Sequence, residues 1–266
     1  MFFHAKEGTL CLNGLQMDYI TFGRGARPLI MIQGHSTRSL HGAAASLAWM
    51  YRIFAGNYKV YLFDRRKNLP ESITVRDIAC DIAAAMDHLS LCDADILGVS
   101  MGGMIAQHLA IDRPDLVRRM VLAVTMSRPN PVIERVVENW VHLAGQGHFK
   151  ELIRNMTSLM YSEQYIRRYL PFLPLLTVLQ KPRDVQRFII LSKACLTCRA
   201  YDELDKIQCP VLVIGAKKDQ IAIPEASSEM AEKLQCALHM YENLGHAAYE
   251  EAKDFNSRVF QFLKGS

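Results

Sequence analysis

A serine flanked by glycines near the middle of the chain is the strongest chemical signal in the sequence. Ser100 stands in the stretch Gly98-Val99-Ser100-Met101-Gly102-Gly103, after an apolar run and before residues with helical periodicity. Glycine tolerates tight turns and close packing, so the pattern also suits an ordinary turn from a strand to a helix. The more specific interpretation is that the turn presents the Ser100 hydroxyl as a nucleophile, at a helix N-terminus that favours developing negative charge.

A serine nucleophile needs a base within hydrogen-bond reach, and a histidine base needs an acceptor that fixes its orientation. Of the nine histidines, His246 lies in a loop opened by Gly245, after the last predicted strand. Asp219 lies four residues beyond Gly215, the end of another predicted strand. A loop histidine is often merely solvated, and an aspartate after a strand often forms a turn. Their shared position after strands of one sheet favours a triad of Ser100, His246 and Asp219.

Short apolar runs predict the strands that must position these residues. Runs that are apolar along their whole length are typical of parallel strands buried on both faces. They are Pro28–Gly34, Lys59–Asp64, Ala94–Val99, Met120–Thr125, Pro210–Gly215 and, with its following loop, Ala237–Gly245. Alternating polarity around Asn13-Gly14 predicts a hairpin between Gly8 and Gly25.

Helical periodicity fills the spaces between these strands. Apolar residues recur at three- and four-residue spacing in Thr74–Leu89, Met101–Ile111, Ala226–Leu234 and Asp254–Leu263. Alternating strands and helices are typical of right-handed βαβ units. The predicted fold class is therefore α/β, with a mostly parallel central sheet flanked by helices, and ligands are expected at the carboxyl ends of its strands.

The alternation of strands and helices stops between about Ser127 and Lys206. The pattern there predicts helices over Val132–Ala144, Phe149–Met160, Glu163–Leu170 and Arg183–Arg199, separated by prolines. We interpret residues 128–206 as a helical cap inserted into a core of residues 1–127 and 207–266. We expect the cap to lie over Ser100 and to set substrate size. Its candidate pocket residues, for which packing within the cap is the alternative, are Trp140, Leu143, Met156, Met160 and Phe172.

The serine motif, followed along the chain by Asp219 and then by Gly245-His246, resembles the α/β-hydrolase fold superfamily, in which the catalytic residues have the same order. The similarity covers nearly the whole chain. It is greatest to single-domain esterases, lactonases and carbon–carbon hydrolases that carry an inserted lid. The resemblance implies acyl transfer through Ser100, with no metal or organic cofactor.

The resemblance also implies an oxyanion hole made of two backbone N–H groups. One belongs to Met101, directly after the serine, and the other to His35 in the stretch Gln33-Gly34-His35. Family members usually carry histidine where this chain has Gln33, but a backbone donor does not depend on that side chain. We expect the side chain of His35 to cover the pocket rather than to act in catalysis.

The substrate stays open, because the fold and the triad serve many chemistries. The first interpretation is a serine hydrolase that cleaves a small or medium apolar carboxylic ester through an acyl-enzyme. The second is a lactonase or a carbon–carbon bond hydrolase with the same triad, although many carbon–carbon hydrolases carry Asn where this chain has Val99. The third is a non-catalytic ligand receptor on the same fold, against which an intact triad argues.

The composition favours a globular protein that acts on a small molecule. The chain has 266 residues, 50% of them hydrophobic, and a formal net charge of +4, which is small for this length. Short basic clusters such as Arg65-Arg66-Lys67 have acidic residues nearby, so we interpret them as solvent-exposed faces and not as a nucleic-acid footprint. Apolar runs stay below membrane-spanning length. We therefore expect neither nucleic acid nor a membrane as a partner, and a homodimer remains open.

Cysteine usage and the first residues of the chain indicate the compartment. The seven cysteines are odd in number and scattered, as is typical of reduced thiols. No basic leader with a following apolar segment is visible at the start, so we expect a cytoplasmic protein. Cys195 and Cys198 have the spacing of a redox motif but fall in a predicted helix with no strand beside them, which favours packing over redox chemistry.

Overall fold

The computed structural model describes residues 2–12, 14–169 and 180–265. The strands in these ranges are β1 (Lys6–Leu12), β2 (Leu15–Phe22), β3 (Arg27–Ile32), β4 (Tyr58–Phe63), β5 (Ala94–Val99), β6 (Val117–Ala123), β7 (Val211–Ala216) and β8 (Ala237–Tyr241). They form one sheet in the order β1-β2-β4-β3-β5-β6-β7-β8. β2 pairs antiparallel with β1 and with β4, and the other neighbouring pairs are parallel. The predicted mostly parallel α/β sheet is confirmed.

Helices flank the sheet on both faces. They are α1 (Ala44–Met50), α2 (Val75–His88), α3 (Met101–Asp112), α4 (Pro131–Gly145), α5 (Phe149–Met160), α6 (Glu163–Tyr169), α7 (Val185–Ala194), α8 (Pro224–Leu234), α9 (Ala248–Glu251) and α10 (Phe255–Lys264). α2 begins at a capping box, in which the Thr74 and Asp77 side chains each accept a hydrogen bond from the other's backbone N–H. α1 is missing from the sequence prediction because it is seven residues long and its N-cap, Ala43, has no polar side chain.

Two apolar layers enclose the sheet. All six residues of β5 and all six of β7 are buried, which explains why both strands are apolar along their whole length. On one face α2 and α3 contribute Ile78 and Ile105 to the core, and on the other face α1 and α10 contribute Ala48 and Val259. Within the described ranges, no helix combines the length and apolar character needed to cross a membrane.

The inserted helices, α4 to α7, lie between two strands that are neighbours in the sheet. Met120 of β6 pairs with Val211 of β7, so the chain leaves the sheet after β6 and returns one strand further on. α4 packs against α5 and against α7, and Trp140 and Phe188 from this segment join the apolar core on the α3 side. Phe172, one of the predicted pocket residues, lies outside the described residues.

The predicted helix over Arg183–Arg199 is wrong at both ends. α7 begins after Asp184, whose carboxylate accepts a hydrogen bond from the N–H of Arg187 at 2.8 Å, and it ends at Ala194, where a short 3-10 turn follows. Cys195 and Cys198 are buried there, and burial raises the pKa of each thiol to about 12. Both thiols are therefore protonated near neutral pH, as expected of side chains that pack and do not react.

The close approach of α3 to the sheet depends on glycine. A Cβ atom added at Gly98 would lie 2.7 Å from the carbonyl oxygen of Gly102, and one added at Gly102 would lie 1.8 Å from the carbonyl oxygen of Ile32. Both obstacles are backbone atoms, so no side-chain rotation relieves the overlap. The helix can therefore start beside the end of β3 only while these positions lack a Cβ.

We expect Gly102→Ala to lower the free energy of unfolding by about 1–3 kcal/mol, because the added methyl group must push α3 away from Ile32. Gly145→Ala is the matched control, since a Cβ there meets nothing within 4 Å. It should be neutral or stabilising by about 0.5–1 kcal/mol. Urea unfolding followed by circular dichroism measures both, and equal midpoints for the two variants would contradict the role given to Gly102.

Candidate active site

Ser100 occupies a strained turn between β5 and α3. Its backbone has φ 52° and ψ −122°, in a region that residues other than glycine rarely adopt and that costs about 1–3 kcal/mol. Two hydrogen bonds hold the turn: the N–H of Ser100 donates to the carbonyl of Ala123 at 2.9 Å, and the Thr125 hydroxyl donates to the carbonyl of Ser100 at 2.7 Å. The neighbouring strand β6 and the residues after it thus fix the direction in which the Ser100 side chain points.

The three residues of the predicted triad are in direct contact. The Nε2 atom of His246 lies 2.9 Å from the Oγ atom of Ser100, and its Nδ1 atom lies 2.9 Å from Oδ2 of Asp219. An ionised carboxylate only accepts hydrogen bonds, so we assign the proton to Nδ1, which leaves Nε2 free to accept from the Ser100 hydroxyl. His246 is 4% exposed and Asp219 5% exposed, so both work away from bulk water.

Backbone groups orient both partners of Ser100. Oδ1 of Asp219 accepts from the N–H groups of Ile221 and Ala222, at 2.8 and 3.0 Å, which holds the carboxylate at the end of β7. The loop after β8 carries His246, and the N–H of the next residue, Ala247, donates to the carbonyl of Met160 at 2.8 Å. The C-terminal end of α5 therefore fixes the histidine loop, a link that the sequence does not reveal.

The two residues predicted to supply the oxyanion donors are close to Ser100. Met101 is the first residue of α3, and His35 follows Gly34, at which a Cβ atom would lie 3.1 Å from the Cβ atom of Ser100. In the part of the chain that the structure describes, neither the Met101 N–H nor the His35 N–H donates to a protein acceptor. Both donors are thus available to a ligand oxygen near Ser100.

A buried arginine supports the loop that carries His35. Arg65 is 6% exposed, and its guanidinium donates to the carbonyl of Gln33 at 2.5 Å. The interpretation of Arg65-Arg66-Lys67 as a solvent-exposed face is therefore wrong for Arg65. One feature of the sequence could have indicated this role: Arg65 lies two residues after the end of β4, at the carboxyl edge of the sheet, where α/β proteins bind their ligands.

The hydrogen bonds around His35 define its protonation. The Ser192 hydroxyl donates its one proton to the carbonyl of Phe188, at 2.8 Å, so it can only accept from Nε2 of His35, also at 2.8 Å. Nε2 must therefore carry the proton. Nδ1 is then a bare acceptor, and it has no partner among the described residues. Burial, with smaller contributions from the charges of Arg65 and Arg187, lowers the pKa of His35 to about 3.

A small apolar cavity, the inner chamber, opens beside Ser100 and His246 and has a volume of about 40 Å³. Of the predicted pocket residues, Trp140, Met156 and Met160 line it. Leu143 does not line it: it lies at the edge of the buried face of α4, where it is partly buried against the core. The serine, the histidine and an apolar wall thus share one enclosed space.

A larger cavity, the outer lobe, adjoins the inner chamber and has a volume of about 410 Å³. The residues that line both spaces are Gly34, His35, Met156, Met160 and Tyr249. The outer lobe is more polar, and its wall includes Glu250 and Arg38. A ligand that extends from the outer lobe into the inner chamber would reach the space that Ser100 and His246 line.

A strained serine between a strand and a helix, paired with a histidine and an aspartate in that chain order, defines the α/β hydrolases as a class. A model of the "Alpha/beta hydrolase family" matches residues 40–258. The chain belongs to this family, and it is a hydrolase.

Named relatives and solved structures extend the similarity over nearly the whole chain. "Putative carbamate hydrolase RutD" of Caulobacter sp. (strain K31) is 27% identical over 85% of this chain and 88% of its own. "3-oxoadipate enol-lactonase 2" of Acinetobacter baylyi is 22% identical over 98% of both. The crystal structure of MGS-M2, an alpha/beta hydrolase from a Medee basin deep-sea metagenome library, aligns with a TM-score of 0.88 and 22% identity over 97% of this chain and 98% of that chain.

We expect His35 to stay neutral, with its proton on Nε2, from about pH 8 down to about pH 5, because its pKa lies near 3. The unfolded chain takes up this proton near the ordinary value of 6.5, so His35 destabilises the fold increasingly as the pH falls from about 6.5 towards 3. Nitrogen-15 NMR of the imidazole, assigned through His35→Gln, measures both tautomer and titration. Ser192→Ala should weaken the preference for Nε2, whereas a His35 signal that titrates near pH 6.5 would overturn the assignment.

Proposed function

We propose that the protein hydrolyses a carboxylic ester with a small apolar acyl group through an acyl-enzyme on Ser100. The observation that carries this proposal is the unbroken hydrogen-bond chain from Ser100 through His246 to Asp219, beside two unpaired backbone donors. A hydroxyl with a base in contact can attack a carbonyl carbon, and donors next to it can stabilise the resulting oxyanion.

The proposed reaction proceeds in two halves. His246 accepts the Ser100 proton at Nε2 while Oγ attacks the carbonyl carbon, and the Met101 and His35 N–H groups stabilise the oxyanion, each by roughly 3–4 kcal/mol. The carbon–oxygen bond to the alcohol then breaks, and His246 donates its proton to that oxygen. In the second half, water attacks the acyl-enzyme, gives its proton to His246, and the carboxylic acid leaves as Ser100 regains its proton.

The size of the inner chamber supports a short acyl group. The inner chamber has a volume of only about 40 Å³, and two methionines and an indole ring form part of its wall. We propose that residues 128–206 act as a cap on the core of residues 1–127 and 207–266, since α4 and α5 supply Trp140, Met156 and Met160 to that wall. A medium-length acyl chain would require these side chains to move.

Lactone hydrolysis is a second candidate. A lactone is an internal ester, so the same nucleophile, base and oxyanion donors suffice. The relative named "3-oxoadipate enol-lactonase 2" covers 98% of this chain, which supports keeping this possibility in the substrate screen. The outer lobe offers space for the part of a lactone that stays attached to the acyl group.

We expect a fluorophosphonate to add one adduct mass to the parent protein and none to Ser100→Ala, because Ser100 contacts a histidine nitrogen that is free to accept its proton, whereas the His35 nitrogen beside Ser192 already carries one. Ser192→Ala is the matched control: this serine also lines the inner chamber but bonds to His35 and Phe188 instead. It should label like the parent. Intact-mass spectrometry reads the adduct, and aryl-ester turnover in Ser100→Ala should fall by several orders of magnitude.

Labelling of Ser100→Ala, or of another serine in the parent, would refute the nucleophile assignment. An unlabelled parent protein with no ester or lactone turnover would instead favour a ligand receptor on the same fold. Lactone turnover without turnover of open-chain esters would favour the second candidate.

We expect Trp140→Ala to shift the preferred acyl chain of p-nitrophenyl esters upward by about one or two carbons, since an apolar pocket discriminates by roughly 1–3 kcal/mol per methylene. Leu143→Ala on the same helix is the control, because Leu143 does not line the inner chamber. It should keep the parent profile. Equal kcat/KM profiles for both variants, with labelling of Ser100 intact, would mean that Trp140 does not limit acyl length.

A further inference from the structure

The outer lobe contains an ionisable group that the acyl-transfer mechanism does not use. Glu250 belongs to α9, four residues after His246, and its side chain is open to the lobe. The Tyr161 hydroxyl donates to its Oε2 atom at 2.7 Å, and the Tyr249 hydroxyl lies beside the same carboxylate. No Lys, Arg or His within the described ranges forms an ion pair with Glu250.

The neighbouring carboxylate, Glu251, has a structural role. Glu251 accepts from both the N–H and the hydroxyl of Ser162, at 2.9 and 2.5 Å, so it ties α9 to the start of α6. Glu250 has no such backbone partner in the described chain. A carboxylate offers about four acceptor positions, so Glu250 retains capacity for a ligand even with both tyrosines bound.

Aromatic rings complete this part of the wall. Tyr51, Tyr161 and Tyr249 line the outer lobe together with Glu250. Burial raises the pKa of each of the three hydroxyls, so the tyrosines stay neutral. The π-face of a neutral tyrosine attracts a cation, and a carboxylate beside such rings adds a countercharge.

We propose that the outer lobe binds an alkylammonium group on the alcohol portion of the ester. This inference rests on the proposed function, because it places the acyl group in the inner chamber and the leaving alcohol in the outer lobe. The two spaces share lining residues, among them Met156 and Tyr249, so they are adjacent, and Ser100 lines the inner one. An ammonium group seated there would contact the Glu250 carboxylate and the tyrosine rings.

Two further charges bear on this preference. Loss of hydration raises the pKa of Glu250 although the residue is partly open to solvent, and a bound ammonium group would favour its ionised form. Arg38 also lines the lobe and reduces its negative potential. Selectivity for a cation therefore depends on direct contact with Glu250 and the rings and not on the net field of the lobe.

A pair of isosteric acetate esters tests the proposal. Acetylcholine and 3,3-dimethylbutyl acetate differ in one atom, a quaternary nitrogen against a carbon. We expect kcat/KM of the parent to favour the cationic ester by about tenfold, and Glu250→Gln to remove that preference while the neutral ester keeps its rate. Glu251→Gln is the matched control and should retain the preference. Circular dichroism verifies that each variant folds.

Choline binding provides a readout that needs no turnover. Calorimetric titration of choline into Ser100→Ala should show binding that weakens about tenfold when Glu250→Gln is added. Equal binding to both proteins, or a parent that hydrolyses the neutral ester without preferring the cationic one, would overturn the cation site and leave the proposed function standing. If Ser100 is not labelled and no ester is turned over, the proposed function is rejected. The choline titration would then still show whether the outer lobe binds a cation.

Discussion

The backbone contact between Gly102 and the carbonyl of Ile32 is the constraint on which the site depends. Because glycine has no Cβ, α3 can begin against the end of β3, which places its first turn near the loop of His35. The strained turn of Ser100 lies directly before this contact. The hydrogen bonds from Ser100 to Ala123 and from Thr125 offset that strain from the other side. Strands β3, β5 and β6, which are neighbours in the sheet, thus build the nucleophile together.

Charges behind the oxyanion loop have the sign that the proposed chemistry needs. Asp64 accepts from the guanidinium of Arg187, while Arg65 donates to Gln33, so two guanidinium groups face one carboxylate. His35 lies next to this excess positive charge and is held neutral by it and by burial. A positive field beside two backbone donors favours an anion at Ser100 over a neutral carbonyl, which is the difference that accelerates acyl transfer.

The triad was predictable because its geometry follows from local rules. Continuous apolar runs identify parallel strands, parallel strands end at one edge, and Ser100, Asp219 and His246 each follow a strand. Arg65 also follows a strand, β4, but that position alone does not separate a buried arginine from a solvent-exposed one. Its charged neighbours Arg66 and Lys67 give the local sequence the pattern of a solvated loop, and only the folded sheet shows that its guanidinium turns towards Gln33.

Three of the predicted pocket residues line the inner chamber and Leu143 does not, and helix geometry explains the difference. Trp140 and Leu143 are three residues apart and share one side of α4, so helical periodicity does not show which of them lines the inner chamber. The predicted helix over Arg183–Arg199 extends past the true end of α7 at Ala194 for a similar reason. Apolar side chains continue past Ala194, but the backbone tightens into a 3-10 turn there because the segment must return to the sheet. Local periodicity carries no information on such tertiary limits.

The link between the inserted helices and His246 shows how binding and chemistry are joined. Met160 at the end of α5 accepts from the residue after His246, Tyr161 bonds to Glu250, and Ser162 bonds to Glu251. Three consecutive residues of the proposed cap are thus tied to the short segment that carries the base. The outer lobe and the loop of the base therefore share one set of contacts with the end of α5.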